Sequence, residues 1–376
     1  MKMKKVLALA LTAALALSLT GCLNQAPAGN GGASTPSNNS SSAGQSGGAS
    51  TSTPASNPDG APAITSTQQV NMIWSHNAAV TTAGHRAAEK FKEAMEKYSN
   101  GNITVTLYAN GELGTVPEND QALREGTIQI GSGTTGGLVD PSLSYFDCPN
   151  LVDSNEQAKA MMDRSGELYK YTEDVYANIG MKMLSIVPGG FRETSSNKPV
   201  RSYEELAGLK IRTLENPIAI SYWQAWGCNP TPVTFSELYI ALQQGLVEAQ
   251  ENAYDTIVAS KLYEQQKYII NTHHVIMWSG MYMNLDFYNS LPADYQELIN
   301  WVVAEIYEPF LYEESIKANE AALQTMKDAG LEVIDFTAED LAKMREAAKP
   351  AYDLIRQTVG DEPMELIAAA QAAAAG

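Results

Sequence analysis

The sequence predicts an α/β fold divided into two lobes. From residue 70 to residue 187 the hydrophobic pattern alternates between strand and helix spacing, in the order β-α-β-α-β. The same alternation begins again at Ser202 and continues to about residue 244. The 376 residues suffice for about two domains, and a hydrophobic content of 44% can supply a sizeable core. Because strands that alternate with helices usually build parallel sheets, we expect a largely parallel sheet.

The first lobe is predicted from strands separated by amphipathic helices. Ala87, Phe91 and Met95 lie four residues apart, which is typical of the buried face of a helix, here over residues 84–99. An Asn-Gly pair follows and indicates the end of that helix. The remaining helices are predicted at residues 117–125 and 155–177, and the strands at residues 70–74, 103–107, 127–130 and 181–187.

The second lobe is predicted from a helix that begins at Ser202, a strand at residues 209–212 and helices at residues 217–226 and 236–244. Residues 293–327 then show one continuous helical pattern, which corresponds to a rod about 50 Å long. A helix longer than one lobe is expected to span both lobes. The alternative is two helices broken near Pro309, which would at least kink the rod.

The first 21 residues have the pattern of an export signal. Three lysines precede an apolar stretch, residues 6–19, that is too short to span a membrane. Leu-Thr-Gly-Cys closes it and resembles the lipobox of bacterial lipoproteins, in which the thiol of Cys22 receives a diacylglycerol. An ordinary cleavage beside an incidental cysteine is the alternative. We expect an extracytoplasmic protein, lipid-anchored at Cys22 to the cell membrane.

Residues 22–67 form a predicted disordered tether. The segment is rich in Gly, Ser, Thr, Asn and Pro and cannot bury enough apolar surface to offset the entropy of ordering. It contains a G-x-S-x-G match at residues 44–48, but no strand precedes this serine and no helix follows it. A hydrolase nucleophile is therefore not predicted here.

Charge and composition exclude several classes of function. The chain has 25 basic and 43 acidic residues, a net charge of −18. Without Lys2, Lys4 and Lys5, 22 basic residues remain and the net charge is −21. So acidic a protein repels nucleic-acid backbones. Its three cysteines are too few for a disulfide framework, and Cys148 and Cys228, which fall in different lobes, are expected to be free thiols.

Enzyme and metal signatures are missing from the sequence. The four histidines form no H-E-x-x-H pattern, and no phosphate-binding G-x-x-x-x-G-K-[ST] occurs. Residues 131–136 (GSGTTG) match G-x-G-x-x-G, but no helix pattern opens at the third glycine, as a dinucleotide site requires. We expect instead a flexible loop at the end of a strand, where Thr134 and Thr135 could contact a ligand. No metal and no cofactor are predicted, and the protein is not expected to be an enzyme.

Residues 191–274 carry several motifs in a fixed order. The motifs are GFRETSSN at residues 190–197, LAGLKIR at 206–212, GCNP at 227–230, FSELYIALQ at 235–243, QEN at 250–252 and YEQQKY at 263–268. In this order they resemble the extracytoplasmic substrate-binding proteins of TRAP transporters, the DctP-like family. Weaker similarity extends from Gln68 to the end of the chain.

This resemblance implies a two-lobed Venus flytrap of the periplasmic-binding-protein type, with a small organic acid bound between the lobes. Lobe I is then expected at residues 68–190, completed by about 278–310, and lobe II at residues 191–277, completed by about 311–376. By matching motif positions, Arg212 is expected to clamp the carboxylate and Arg192 to be a second basic contact. The ligand-binding residues that the resemblance implies are Arg212, Arg192, Asn252, Phe235, Asn77, Thr134 and Trp278.

Physical chemistry supports an arginine clamp. A protein of such negative charge needs a strong local cation to bind an anion, and a guanidinium pairs with a carboxylate through two parallel hydrogen bonds. For Arg212 the alternative is a surface arginine at a strand end. For Arg192 it is an ion pair with a nearby acid such as Glu193. Phe235 and Trp278 could belong to the core, and Asn252 could be a simple turn former.

The expected function is capture of a small carboxylate outside the cytoplasm and its delivery to TRAP membrane permease subunits for ion-gradient-driven uptake. The pattern leaves two alternatives open. One is a receptor that serves a sensor kinase or an ATP-driven importer. The other is a secreted enzyme on an α/β scaffold, for which the sequence offers no acid/base pair or nucleophile at recognisable spacing.

Overall fold

The computed structural model describes residues 59–374. The predicted signal segment, Cys22 and most of the predicted tether lie outside the described residues. Residues 59–67, the end of the predicted tether, pack against the folded chain: Ala61 is buried, and the carboxylate of Asp294 accepts hydrogen bonds from the backbone amides of Thr65 and Ser66. The ordered part of the chain therefore begins before residue 68, where the composition predicted it to begin. A few hydrogen bonds suffice to fix this polar segment against the folded domain.

Within residues 59–374 nine strands form one mixed sheet with the order β2-β1-β3-β8-β4-β7-β5-β6, and β9 pairs with β8. On either side of the centre the pairs β1–β2, β1–β3, β5–β6 and β5–β7 are parallel, as predicted. At the centre β8 pairs antiparallel with β3 and β4, and β4 with β7, which the sequence did not predict. The strands are β1 (Val70–Ser75), β2 (Ile103–Tyr108), β3 (Ile130–Thr134), β4 (Met181–Ser196), β5 (Lys210–Thr213), β6 (Asn229–Pro232), β7 (Ala249–Asn252), β8 (Tyr268–Asn284) and β9 (Glu332–Asp335).

The α-helices cover the sheet. The predicted helices lie near their predicted positions, except that the single helix expected over residues 155–177 is two helices, because the chain turns at residues 162–166. The helices at residues 254–259 and 285–290 and the three helices after residue 337 were not predicted. No described helix combines the length and the apolar content that crossing a bilayer requires. The α-helices are α1 (Ala83–Tyr98), α2 (Val116–Arg124), α3 (Asn155–Met161), α4 (Glu167–Asn178), α5 (Pro217–Ala225), α6 (Leu238–Gln243), α7 (Tyr254–Ala259), α8 (Leu285–Ser290), α9 (Ala293–Val302), α10 (Glu308–Asp328), α11 (Ala338–Ala347), α12 (Lys349–Val359) and α13 (Glu362–Ala374).

Strands β4 and β8 are 16 and 17 residues long and cross from one lobe into the other. Their pairing shifts register between Pro188 and Phe191 and again between Arg192 and Thr194. Gly190 lies at the first shift with φ of 101°, and a Cβ atom there would meet the side chain of Asn319 at 2.8 Å. A side chain is therefore excluded at this position, where the two lobes are joined by two strands.

Separate hydrophobic clusters stabilise the two lobes. In lobe I, Trp74 and Phe91 pack edge to face with ring centroids 5.5 Å apart, next to residues of α9. In lobe II, a smaller cluster includes Leu242 of α6, Ile257 of α7 and Met326 of α10. A third and larger cluster lies along both lobes and receives the C-terminal helices α11 to α13. Each lobe thus has its own core on the face that carries the long helix.

The long helical segment is continuous from Ala293 to Asp328, as predicted, and is not broken at Pro309. Its hydrogen-bond ladder widens to a π-turn at Val303–Tyr307, immediately before the proline. Since proline has no amide hydrogen to donate, the wider turn lets the helix continue past it. The segment begins in the core of lobe I and ends with Met326 in the core of lobe II, so it spans both lobes.

Candidate functional site

A cavity of about 440 Å³ lies between the lobes. The end of β1 and the start of α1 line it from lobe I, and β5, β7 and the segment around Phe235 line it from lobe II. Residues of the crossing strands and of the long helix, including Met277 and Leu311, complete the wall. Every one of these elements meets the cavity where a strand or helix ends or where the lobes join, which is where open α/β sheets bind ligands.

Arg212 lies on β5 and lines this cavity. Its side chain is 99% buried, and Nε donates to the carbonyl oxygen of Val233 at 2.9 Å. Nη1 has no hydrogen-bond partner, and among residues 59–374 no carboxylate forms an ion pair with the guanidinium. Burial lowers the pKa of Arg212 to about 10, so the group is still cationic at neutral pH. The carboxylates of Glu251 and Glu215 act on this charge from beyond ion-pair distance. A buried cation without a directly paired anion is costly, and such a group is available to a ligand carboxylate.

Arg192 also lines the cavity but is already paired. Its guanidinium binds the carboxylate of Glu251 with two nitrogens, and Nη2 also donates to Oδ1 of Asn252 at 3.0 Å. Burial alone would raise the pKa of Glu251, but the charge of Arg192 and the hydrogen bonds from His274 and Arg192 lower it to about 2. The alternative considered from the sequence was an ion pair between Arg192 and a nearby acid such as Glu193. In the structure Glu193 contacts His273 instead.

Four other predicted residues line the same cavity: Asn252, Phe235, Asn77 and Thr134. The Asn77 amide is held by neighbours, since Nδ2 donates to the Gly114 carbonyl at 3.0 Å and Oδ1 accepts from Asn119 at 3.0 Å. Thr134 is the last residue of β3 and pairs with Ser279, so it lies on a strand and not on the flexible loop that was predicted. The structure therefore brings six of the seven predicted side chains together.

Trp278 is the exception. It is 98% buried and packs against Phe146 with ring centroids 5.5 Å apart, in the large cluster on the other side of the sheet. Its neighbours Met277 and Ser279 line the cavity. Because side chains alternate between the two faces of a strand, Trp278 points away from the cavity that its neighbours face. The predicted placement of Trp278 on the cavity wall is therefore wrong, and its core alternative fits the structure.

One histidine of the cavity wall, and the second histidine that it contacts, were not singled out from the sequence. His76 follows β1, is 97% buried, and its Nε2 lies 3.1 Å from Nδ1 of His85 on α1. Burial, and then the charge of His85, lower the pKa of His76 to about 4, so it is neutral at pH 7. The signal in the sequence was its position directly before Asn77 at the end of a strand.

Asp255 makes a direct contact between the lobes that the sequence also did not reveal. It lies on α7 of lobe II and lines the cavity, and its Oδ2 accepts from the backbone amide of Ala83, the first residue of α1 in lobe I, at 3.0 Å. A carboxylate at the N-terminus of a helix is stabilised by the free amides and the helix dipole. Burial raises the pKa of Asp255. This contact ties the two cavity walls together on the side of α1 and α7.

Other reactive groups lie away from this cavity. Cys148 and Cys228 are free and buried, and burial raises the pKa of Cys228 to about 12. Over residues 59–374 no three His, Cys, Asp or Glu side chains are grouped so that they could hold a metal ion.

Two α/β lobes, a cavity between them and a buried arginine that forms no ion pair within residues 59–374 define a solute-binding protein of the Venus flytrap type. The family model described as "Bacterial extracellular solute-binding protein, family 7", DctP, matches residues 74–358. The chain therefore belongs to the DctP family of extracytoplasmic solute-binding proteins, whose description is that of binding proteins and not of enzymes.

Individual relatives agree with this assignment. The C4-dicarboxylate-binding periplasmic protein DctP of Rhodobacter capsulatus is 32% identical over 305 residues, which cover 80% of this chain and 90% of the relative. The sugar acid binding protein of Advenella mimigardefordensis, solved in complex with galactonate, has a TM-score of 0.78 and 27% identity, covering 82% of this chain and 100% of that one. A TRAP periplasmic solute binding protein of Desulfovibrio salexigens with bound orotic acid has a TM-score of 0.76 and 27% identity, over 81% and 99% of the two chains.

Proposed function

We propose that this protein captures a small carboxylic acid outside the cytoplasm and delivers it to a TRAP-type membrane permease for ion-gradient-driven uptake. The observation that carries the proposal is the guanidinium of Arg212, buried on the cavity wall without a carboxylate partner in the described chain. A ligand carboxylate would neutralise this cation and accept two parallel hydrogen bonds from it.

The remaining lining residues would orient the rest of the acid. Phe235 offers a flat apolar surface, and the amides and hydroxyls on both walls offer hydrogen bonds. Since β4 and β8 join the lobes at shifted registers, the lobes would close on the ligand by bending at this crossing. The proposed ligand contacts are Arg212, Arg192, Asn252, Phe235, Asn77 and Thr134.

The relatives support a carboxylic acid as the ligand class. The three proteins compared above are named for, or were solved with, a C4-dicarboxylate, galactonate and orotic acid, all of which carry a carboxyl group. Their shared chemistry fits a clamp that recognises the carboxylate, with the other walls selecting the remainder of the molecule.

A thermal-shift screen of the purified protein against organic acids tests this function. A ligand at 100 times its dissociation constant should add roughly 2.7 kcal/mol to the free energy of unfolding. We expect a defined set of carboxylates to raise the melting temperature and their uncharged alcohols to leave it unchanged. Unaltered ligand after long incubation would distinguish capture from turnover. Stabilisation by uncharged sugars alone would contradict the proposal.

Delivery is tested by uptake. Membrane vesicles that contain the cognate permease should accumulate the labelled acid only when the binding protein is added and an ion gradient is present. Uptake that requires ATP and no ion gradient would indicate an ATP-driven importer instead.

We further propose that the mature chain is anchored by acyl chains on Cys22. The support is the basic start, the apolar stretch at residues 6–19 and the Leu-Thr-Gly-Cys ending. Two acyl chains anchor a protein durably. Wild-type protein should fractionate with membranes and incorporate labelled fatty acid, whereas Cys22→Ser should do neither. Equal fatty-acid labelling of both would exclude this cysteine as the attachment site.

A further inference from the structure

The charged and titratable groups on the cavity wall limit which carboxylic acids can bind. On the cationic side the described lining includes His76, Arg192 and Arg212, and no lysine. On the anionic side it includes Glu215 and Asp255. Once the lobes exclude water, any charged group of the ligand must be neutralised by one of these side chains.

Arg212 is the one cation of the described lining that remains for a ligand charge. The charge of Arg192 is neutralised by Glu251 through a two-nitrogen contact, and Asp147 lies near enough to act on it as well. The burial of His76 and its contact with His85 hold its imidazole neutral at pH 7. One free cation therefore matches one ligand carboxylate.

The two carboxylates of the lining disfavour a second negative charge. Asp255 lies between the lobes, with Oδ2 on the amide of Ala83. Glu215 follows Arg212 by three residues, is exposed and lies near enough to act on the charge of Arg212, although it forms no ion pair in the described chain. A second carboxylate on the ligand would lose its hydration on entering the cavity. It would find no free cation there and would face two carboxylates of the protein, so its transfer from water is unfavourable.

The other polar groups of the lining are uncharged. Hydroxyls come from both lobes and from the crossing strands, and each can donate and accept a hydrogen bond. Such groups suit alcohol groups on a ligand better than ionised ones. They include Ser132, Thr134, Ser236, Thr256 and Ser279, whereas the hydroxyl of Thr82 is already bonded to the Ala79 carbonyl and the His85 amide.

We infer that the cavity selects a monocarboxylic acid whose other polar groups are uncharged hydroxyls, and that it rejects the dicarboxylic acid of the same carbon skeleton. This inference rests on the proposed function, since it concerns the same cavity and the same clamp.

Calorimetric titration with matched pairs of acids tests the selectivity. Suitable pairs at pH 7.5 are gluconate and glucarate, galactonate and galactarate, erythronate and tartrate, and butyrate and succinate, with glucitol as the uncharged control. Within each pair that binds, we expect the monocarboxylate to bind roughly thirtyfold more tightly, the penalty of one unpaired buried charge.

Variants that remove a lining carboxylate test the cause. Asp255→Asn and Glu215→Gln should each narrow the ratio of the two affinities by about fivefold. The ratio is the informative quantity, because a loss of the contact with Ala83 weakens both members of a pair alike. Glu346→Gln is the matched control: Glu346 is exposed, pairs with Lys349 and does not line the cavity. It should leave the ratio unchanged. If Asp255→Asn does not fold, the exposed Glu215 still gives the test.

Each outcome decides between the two proposals. A dicarboxylate that binds as tightly as its monocarboxylate, or a ratio that Asp255→Asn and Glu215→Gln change no more than Glu346→Gln, overturns the inference and leaves carboxylate capture standing. If no acid of any pair binds while the thermal-shift screen finds another carboxylate, the inference is overturned and carboxylate capture stands. If glucitol binds as well as gluconate, the proposed function itself fails.

Discussion

Two buried arginines line the same cavity, and their surroundings differ. Arg192 is held by the carboxylate of Glu251 and by Asn252, so its charge is neutralised within the protein. Arg212 donates Nε to a backbone carbonyl and has no carboxylate partner in residues 59–374. A cation that the fold itself neutralises contributes to structure, whereas one left without an anion can bind a ligand. The comparison predicts that replacing Arg192 mainly lowers stability, whereas replacing Arg212 mainly lowers affinity for the ligand.

Replacing Arg192 should have the largest effect on stability. Arg192→Met leaves the carboxylate of Glu251 fully buried and without its main partner. Breaking a buried ion pair from one side costs about 3–5 kcal/mol. Chemical denaturation should show this loss in the free energy of unfolding.

The control for Arg192 is the double variant Arg192→Met/Glu251→Gln, which removes both charges. It should recover much of the lost stability, because no unpaired charge stays buried. Arg192→Met with wild-type stability would remove the distinction between the two arginines.

Replacing Arg212 should reverse the pattern. Arg212→Ala should weaken binding of the preferred acid by about 2–5 kcal/mol, the usual effect of removing one partner of a buried charge contact. Its stability without ligand should be unchanged or higher, because an unneutralised buried charge is removed. Calorimetry and denaturation of the same preparation measure both quantities. A clear drop in stability together with an unchanged dissociation constant would assign Arg212 to the structure.

The histidine pair in lobe I, His76 and His85, should affect stability in a way that depends on pH, unlike the two arginines. His76 is neutral in the folded protein down to about pH 4, whereas in the unfolded chain it takes up a proton near pH 6.5. The unfolded state thus binds more protons between these values, and stability falls as pH falls from 6.5 to 4, by about 3 kcal/mol. His76→Gln should lose less stability over this interval. Parallel pH profiles of the two proteins would contradict the assignment.

The smallest effect is expected at the contact between the lobes. Asp255→Ala removes the acceptor for the Ala83 amide at the start of α1. A lost helix-capping contact costs about 1 kcal/mol. Because the contact joins the two lobes around the cavity, its loss should destabilise the closed, ligand-bound protein. The ligand should then dissociate about fivefold faster, with little change in its association rate, as measured by surface plasmon resonance. A slower association rate alone would argue against a closing contact.

The sequence predicted the two lobes, the helices up to α6 and the long helical segment, and six of the seven ligand-binding residues that it predicted line the cavity. These features follow from local patterns, or from motifs such as LAGLKIR that place Arg212 at the end of a strand. Trp278 was misplaced because a motif does not reveal which face of a strand a side chain occupies, and in β8 the neighbours Met277 and Ser279 face the cavity instead.

Other features depend on contacts between distant segments. Arg192 and Glu251 are 59 residues apart, and Ala83 and Asp255 are 172 apart, so their pairing arises only when the lobes assemble. The antiparallel centre of the sheet depends likewise on two long strands that each enter both lobes, which strand-and-helix alternation alone does not show.

The most direct test of the central claim is a thermodynamic cycle between Arg212 and the ligand's carboxylate. Binding of the preferred acid and of its uncharged primary amide is measured by calorimetry on the wild type and on Arg212→Met. If the guanidinium grips the carboxylate, the coupling free energy is about 2 kcal/mol or more, and the variant no longer distinguishes acid from amide. A coupling near zero, with the acid still preferred by the variant, would show that the carboxylate binds elsewhere.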